Sequence, residues 1–420
     1  MRILVVSLYF PPDMGAPAGR FYDYARQWIR RGHSVTVITG LPHFPAGIIH
    51  DEYRGVFYRR ETLDGIDVRR CWLLSARRRS LAKALNYGSF LISSILCVLF
   101  APIQYDVVVA TSPPPTVGIS GVVASWRRRV PLVFDIRDIW PEAIVQSGRL
   151  TNPLLIRLFE GTAHFIYRSA ARVTAVTEGW VERLREIGVP NEKLAALPNG
   201  VDVRAFDSQA EEPLPAALDI LDPEACWFTY AGIFNTPQGL EVILEAAALL
   251  RDREPVEYHK AQFVFVGEGP THDVLEERSR ELGLDRVVFI PRQPRAAIFG
   301  LLRRSFAVIV SLRPRKDTST VPSKIYESLA SSRPVLFSAG GEGAETIRQA
   351  GGGVVCSPGD PEPLFSAILD YLKDPDRALS DGASGRRYVE AHYDRSRIAD
   401  EFAELLEGFE CPSANPPKRA

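Results

Sequence analysis

Short, wholly apolar runs alternate with stretches of helical periodicity along this chain, and the alternation starts twice. Residues 3–8, 35–39, 107–110, 132–135 and 173–176 read as strands in which successive positions are apolar. Between the first two, Phe21, Tyr24, Ala25, Trp28 and Ile29 recur at helical spacing, and Gly32 closes that helix. A strand apolar at successive positions buries both of its faces, which requires a parallel sheet covered by helices on each side. Around Leu197-Pro198-Asn199-Gly200-Val201-Asp202 the pattern breaks into a turn, followed by an acidic stretch with Pro213, Pro215 and Pro223. It resumes with strands at 227–231, 262–266, 286–290, 307–311 and 334–338 and helices at 240–251, 274–282 and 324–331. The expectation is an α/β protein of two Rossmann-like, doubly wound parallel-sheet domains, residues 1–203 and 204–390. A helix within 391–411 is expected to pack back on the N-terminal domain. The proline-rich polar end, 412–420, is expected to be disordered.

Charge divides along the same line. Residues 1–200 hold 25 Lys and Arg against 16 Asp and Glu, a net of +9, and the remainder holds 25 against 35. The five cysteines are scattered with no Cys-x-x-Cys spacing, and the histidines show no metal spacing, so neither a zinc site nor a disulfide framework is expected. Reduced thiols and an N-terminus that runs directly into a strand point to a cytoplasmic protein. Residues 85–103 form an uncharged stretch of 19 residues, preceded by Arg77, Arg78, Arg79 and Lys83. Asn86, Gly88, Ser89, Ser93, Ser94 and Pro102 make it a poor spanning segment. A basic run beside an apolar helix suits docking on an anionic membrane face, and a buried core helix is the plain alternative.

In open parallel sheets ligands bind at the carboxyl ends of the strands, so the loops there carry the candidates. After the first strand, residues 9–20 read YFPPDMGAPAGR. Gly15 lets backbone amides approach a phosphate at a helix start, and Arg20 is placed to pair with an anion. The loop lacks the Gly-x-Gly-x-x-Gly fingerprint, so a nicotinamide cofactor is not expected. Residues 134–142, FDIRDIWPE, cluster acids with Arg137 and Asp138 directly after an apolar strand. Gly232 and Gly267 follow strands of the second half. Arg313, Ser319, Thr320, Ser323, Lys324 and Glu327 belong to a basic, hydroxyl-rich loop that opens a helix, with Ser323 as its N-cap. Amides there with Lys324 and Arg313 suit a diphosphate, and Glu327, one turn in, suits a ribose diol. Permissive backbone at Gly340, Gly341 and Gly343 would let a sugar approach. A proline-glycine turn, a structural ion-pair network and a solvated loop are the plain alternatives.

With these residues in place, the chain resembles glycosyltransferase family 4 of the retaining GT-B class, and within it the bacterial N-acetylfucosamine-transferase-like subgroup of surface polysaccharide synthesis. The segments YFPPDMGAPAGR, ATSPPP, FDIRDIWPE, LPNGVD, YAGIFNTPQGLE, VGEGP and VPSKIYESLA, in this order, carry the resemblance over nearly the whole chain. It implies two domains meeting across a cleft, a nucleotide-diphosphate sugar held by the C-terminal one, an acceptor held by the N-terminal one, and no metal or cofactor. It implies that Gly15 lies near the donor phosphates, that Glu327 binds the ribose, and that Arg137 stands where many members carry a histidine. It also implies that Arg292 and Gln293 lie where the base is recognised. The chain departs from the pattern at Ser319, where many members carry a glutamate. Ile233 and Gln238 replace the usual arginine and lysine, so Lys324 with Arg313 or Arg315 is expected to neutralise the diphosphate.

Sugar transfer builds negative charge on the departing phosphate, and preorganised cations and amides aimed at it supply the main stabilisation. Arg137, Asp138 and Lys324 are the expected catalytic residues, with Asp138 orienting the acceptor. The basic stretch 54–83 together with 85–103 suits a polyprenyl-diphosphate-linked acceptor on the membrane, a glycan being the other acceptor class; nucleic acid is not an expected partner. A sugar-nucleotide epimerase, which needs no acceptor, and a non-catalytic sugar-nucleotide-binding subunit are the competing readings.

Overall fold

The computed structural model describes residues 1–13, 15–44, 46–75, 80–142, 145, 151–314 and 321–409. They divide into two compact units, one of Met1–Asn199 with the segment from Ser396 onward, the other of Gly200–Arg395. The sequence put the boundaries at 203 and 390. The difference arises because Val201 pairs in a short bridge with Asp394, which keeps the linker and the end of a long helix, Pro375–His392, in the second unit.

The first unit is built on an eight-stranded sheet. Its strands are β1 (Arg2–Val6), β2 (Ser34–Gly40), β3 (Tyr58–Leu63), β4 (Ile66–Cys71), β5 (Val107–Thr111), β6 (Leu132–Ile136), β7 (Arg172–Ala175) and β8 (Leu194–Ala196), in the order β3-β4-β2-β1-β5-β6-β7-β8. Neighbours run parallel except β3 and β4, which form an antiparallel hairpin. Asp64 and Gly65, both at positive φ, make its two-residue turn, the geometry that Asp-Gly favours. The alternation of side chains is visible along β1. Leu4 and Val6 join a core cluster with Phe90 and Val98 of helix α2 (Ser80–Phe100) and Val117 and Val122 of helix α3 (Val117–Arg128). Ile3 and Val5 join the opposite cluster, with Phe21, Tyr24 and Trp28 on the first helix, α1 (Ala16–Arg30), and Phe402 on the helix Arg395–Glu407. Both faces are therefore covered, as continuous apolar strands require.

The second unit has six strands, all parallel: β9 (Cys226–Ala231), β10 (Ala261–Val266), β11 (Val287–Ile290), β12 (Ala307–Ser311), β13 (Val335–Ser338) and β14 (Gly353–Cys356). Their order is β11-β10-β9-β12-β13-β14. The chain winds outward from β9 to β11, then returns to the other side of β9 with β12. The loops after β9 and β12 therefore leave the sheet at its switch point, the position where such sheets hold ligands. In the first unit the corresponding loops follow β1 and β5.

Candidate functional site

Lys324 occupies the switch point of the second sheet. It opens the short helix Lys324–Ala330 and is half-buried. Its Nζ donates to Tyr230 Oη at 2.9 Å and to Gln238 Oε1 at 2.8 Å, and lies 4.2 Å from the centre of the Tyr230 ring. Tyr230 is almost wholly buried on β9, and its hydroxyl is also in hydrogen-bond reach of Ile233 O and Gln238 Oε1. Desolvation pushes the Lys324 ammonium down to about 7, and the field of Glu327 pulls the other way. Glu327, one turn further on, receives Arg295 Nη2 at 3.3 Å. The cation is thus held by neutral oxygens and a ring face, and a bound anion would complete its environment. Gln238 occupies one of the two positions where the resemblance expects a cation. Here it accepts a hydrogen bond from Lys324, so the two positions act together.

The glycines explain how the loops fit. A Cβ at Gly232 would lie 2.7 Å from Lys324 Nζ and 3.1 Å from Tyr230 Oη, and its φ of 154° is one that side chains rarely adopt, so glycine lets the loop lie close over the ammonium. At Gly267 (φ 151°) a Cβ would lie 1.8 Å from Gly232 O. The sequence reading gave Gly267 a donor-binding role; in the structure it packs the loop after β10 against the loop after β9. Arg313 is exposed and paired with Glu241 at 2.9 Å, its backbone N–H bonded to Pro237 O. Ser323 stands at the N-cap position, but its φ and ψ are already helical and its hydroxyl makes no cap hydrogen bond. Arg292 is exposed just past β11, and Gln293 Nε2 turns back to Pro291 O. Ser319, Thr320 and Arg315 lie outside the described residues.

In the first unit Gly15 caps the helix Ala16–Arg30 with φ 92°, a value that favours glycine. Arg20 corrects the sequence reading. Its guanidinium is sealed in the sheet, donating to Asp135 at 2.8 and 3.0 Å, to Tyr24 Oη at 3.0 Å and to Leu197 O at 2.7 Å. Asp135 also accepts from Thr111 and Thr174 and has no exposed surface. A ligand cannot reach either group, and the pair is structural. Glu142 is likewise spent on Arg183, 2.8 Å away. Arg137 and Asp138 remain on the loop after β6, half-buried, with the Arg137 N–H 3.5 Å from Ser112 Oγ on the loop after β5. Sequence reasoning missed Asp13. It is buried, its carboxyl is raised by desolvation, and Oδ1 accepts from the N–H groups of His43 and Phe44 at 2.7 Å each. It pins the loop after β1 to the loop after β2. Its only sequence signal was an acid within a Pro/Gly turn. Tyr230 was missed too, hidden in an apolar strand.

Comparison with known proteins agrees with this geometry. Residues 15–200 match the family described as glycosyl transferase 4-like domain, and residues 225–374 match glycosyl transferases group 1. A protein of Escherichia coli K12 named for colanic acid biosynthesis, the glycosyl transferase WcaI, is 25% identical over 427 residues, 97% of this chain and 100% of its own. WbjE of Pseudomonas aeruginosa, named as a glycosyltransferase, is 28% identical over 280 residues, 64% of this chain and 66% of its own. The crystal structure of Anabaena HepE in complex with UDP and glucose shares the fold, with a TM-score of 0.70 at 18% identity over 97% of this chain and 100% of HepE. The two family matches fall one on each sheet, the first taking in Gly15 and Arg137 and the second Lys324 and Glu327, and the chain belongs to the glycosyltransferases of the GT-B fold.

Proposed function

We propose that this protein moves a sugar from a UDP-linked donor to a glycan or polyprenyl-diphosphate-linked acceptor. The reaction would retain anomeric configuration, need no metal or cofactor, and occur at the cytoplasmic face of a membrane during surface polysaccharide synthesis. The observation that carries the donor assignment is the Lys324 ammonium, held by Tyr230 and Gln238 at the switch point of the second sheet with Glu327 one turn away. A partly desolvated cation with no ion-paired carboxylate among the described residues stabilises a diphosphate strongly, and more so as the leaving group gains charge. Glu327 would exchange its link to Arg295 for the ribose hydroxyls. Arg292 and Gln293 would flank the base, and Arg313 would add a second charge near the phosphates. In the first unit, Gly15 would lie beside the donor phosphates, and Arg137 and Asp138 would meet the transferred sugar and the acceptor hydroxyl. UDP as the nucleotude draws on the HepE complex, and the polysaccharide role on WcaI.

The test is a titration of the purified protein with UDP-, GDP- and dTDP-sugars by calorimetry, with EDTA present throughout. Binding of a UDP-sugar that weakens at least about ten-fold in Glu327→Ala, the cost of one or two charge-assisted hydrogen bonds, is the expected result. No binding by any donor, or an unchanged affinity in that variant with the fold intact, would sink the assignment. Product anomer analysis then decides retention.

A further inference from the structure

Helix α2 is inverted relative to a helix on a soluble surface. Its uncharged polar residues from Asn86 to Ser94 turn toward the protein and are satisfied there. Asn86 Nδ2 donates to Leu74 O at 2.6 Å, Ser89 Oγ accepts from Leu74 N at 2.9 Å, Ser93 Oγ donates to Trp72 O at 2.6 Å, and Ser94 bonds Ser120 at 2.8 Å. Its outward positions are Leu85, Ile92, Leu96 and Phe100, between 49% and 78% exposed. Among the described residues this is the one helix long and apolar enough to cross a membrane, and only about a third of its apolar stretch within Ala82–Phe100 is buried. Yet it lies on the sheet and packs against α3.

Between α2 and the β3–β4 hairpin runs a groove of about 930 Å³. Phe57, Trp72 and Leu74 form one wall, Leu85, Ile92 and Phe100 the other, and Gly88 leaves an opening in the middle. Phe57 stacks on Trp72 with ring centres 6.0 Å apart, although Phe57 is 75% exposed. An apolar channel this size, left open to water, needs an occupant. Three observations choose it. The groove is lined by Cys71 and Trp72, at and just past the carboxyl end of β4, on the edge of the sheet where its ligand-binding loops emerge. Tyr87, beside Gly88 on α2, has its side chain in hydrogen-bonding contact with Tyr9 of the loop after β1. The described residues of 54–75 and 80–83, beside the groove, hold six Lys and Arg against three Asp and Glu, an excess of cations complementary to an anionic head group.

The geometry points to this groove as the seat of the hydrocarbon chain of a lipid-linked acceptor, with the acceptor's phosphate head directed toward the loops after β1 and β2. This rests on the reading of the protein as a glycosyltransferase with a lipid-linked acceptor. Bulk membrane lipid would meet the outer surface of α2 without needing a channel that starts beside the ligand-binding edge.

The experiment uses the full chain without donor, so that its outcome is independent of nucleotide-sugar binding. Prenyl monophosphates of one to four isoprene units are titrated below their micelle concentrations. Each added unit should tighten binding about ten-fold or more until the groove is full, since every buried methylene contributes. Gly88→Phe fills the channel from a position where a Cβ meets nothing within 4 Å. It should weaken binding of the four-unit probe by about ten-fold or more, an aromatic ring occupying space the chain would bury in, while vesicles of phosphatidylcholine and phosphatidylglycerol still bind through Leu99, which is exposed on α2 outside the groove lining. Gly88→Leu, a smaller plug, serves if the phenylalanine variant shows a lowered melting temperature. Affinity independent of chain length overturns the assignment. So does a folded plugged variant with wild-type affinity. A parallel loss of vesicle and prenyl binding would overturn it in favour of bulk lipid. If prenyl binding behaves as expected and no nucleotide sugar binds, the groove stands and the donor assignment falls.

Discussion

At the scale of single residues, the site turns on how one ammonium is housed. Lys324 is surrounded by Tyr230, Gln238 and the loop at Gly232, with the carboxylate of Glu327 acting only at a distance and itself engaged by Arg295. Its pKa of about 7 means that near neutrality the free protein carries the charge only about half the time. A bound diphosphate favours the protonated form and raises the pKa, so binding takes up a proton. The sign follows: affinity is full well below pH 7 and falls as pH rises through 7, until the raised pKa of the complex is reached. Between pH 6 and pH 8 a UDP-sugar should lose about ten-fold in affinity, the change in the protonated fraction of a group titrating at 7. Calorimetry in buffers of different ionisation enthalpy reads the proton uptake directly. Lys324→Met should bind weakly and without that slope, and a slope preserved in the variant would assign the titration elsewhere. Lys324 was legible in the sequence because a charged residue at the start of a helix after an apolar strand stands out. Tyr230, which sets its chemistry, was not, because a buried tyrosine in a strand reads as core. Arg20 failed in the opposite direction. An arginine near a helix start looks like an anion site, and its partner Asp135 lies 115 residues away, brought close only by the pairing of β1 with β5 and β5 with β6.

At the scale of elements, the parallel strands were readable because they are buried on both faces, and a run such as 261–266 has little other meaning. The β3–β4 hairpin was not. Tyr58–Leu63 is mostly exposed at the edge of the sheet and rich in charge, so it carries no apolar signature, and its Asp64-Gly65 turn was the one clue. Gly353–Cys356 was missed for a similar reason, being short and only partly buried at the opposite kind of edge. The loops of the candidate site depend on contacts between elements that no local pattern encodes. Gly267 sits against the carbonyl of Gly232, which in turn roofs Lys324. Gly267→Ala would force a Cβ into that carbonyl at a φ side chains rarely adopt. The expected cost is about 2 kcal/mol or more, because strain at a special φ and overpacking both contribute. Urea denaturation measures it. The variant should also weaken UDP-sugar binding, because the displaced loop moves against the ammonium. Full stability with full binding would show that the two loops shift apart freely.

At the scale of the molecule, the chain leaves the first unit after Asn199 and re-enters it at Ser396, so that its last described helix completes the unit that its first strand began. Phe402 is the keystone of that closure. It is fully buried, with Trp28, Tyr24 and Phe21 edge-on around it at ring distances of 5.5, 5.9 and 6.1 Å, and the indole N–H of Trp28 donates to Ala399 O at 2.8 Å. The aromatic spacing on the helix Ala16–Arg30 signalled that this face must be covered, and Ile398, Phe402 and Leu406, one turn apart on the last described helix, form the covering stripe. Which sheet the stripe would cover depends on the chain's path through all of the second unit. Phe402→Ala removes the side chain that three aromatic rings enclose, and a cavity of that kind costs about 3–5 kcal/mol. The loss belongs to the first unit alone. Hydrogen exchange should therefore show faster exchange of amides in β1 and β2, with those of β9 and β10 protected as before. Equal loss of protection in both sheets would mean that the two units open as one cooperative structure, and the division at Asn199 and Arg395 would then describe the geometry of the chain but not its energetics.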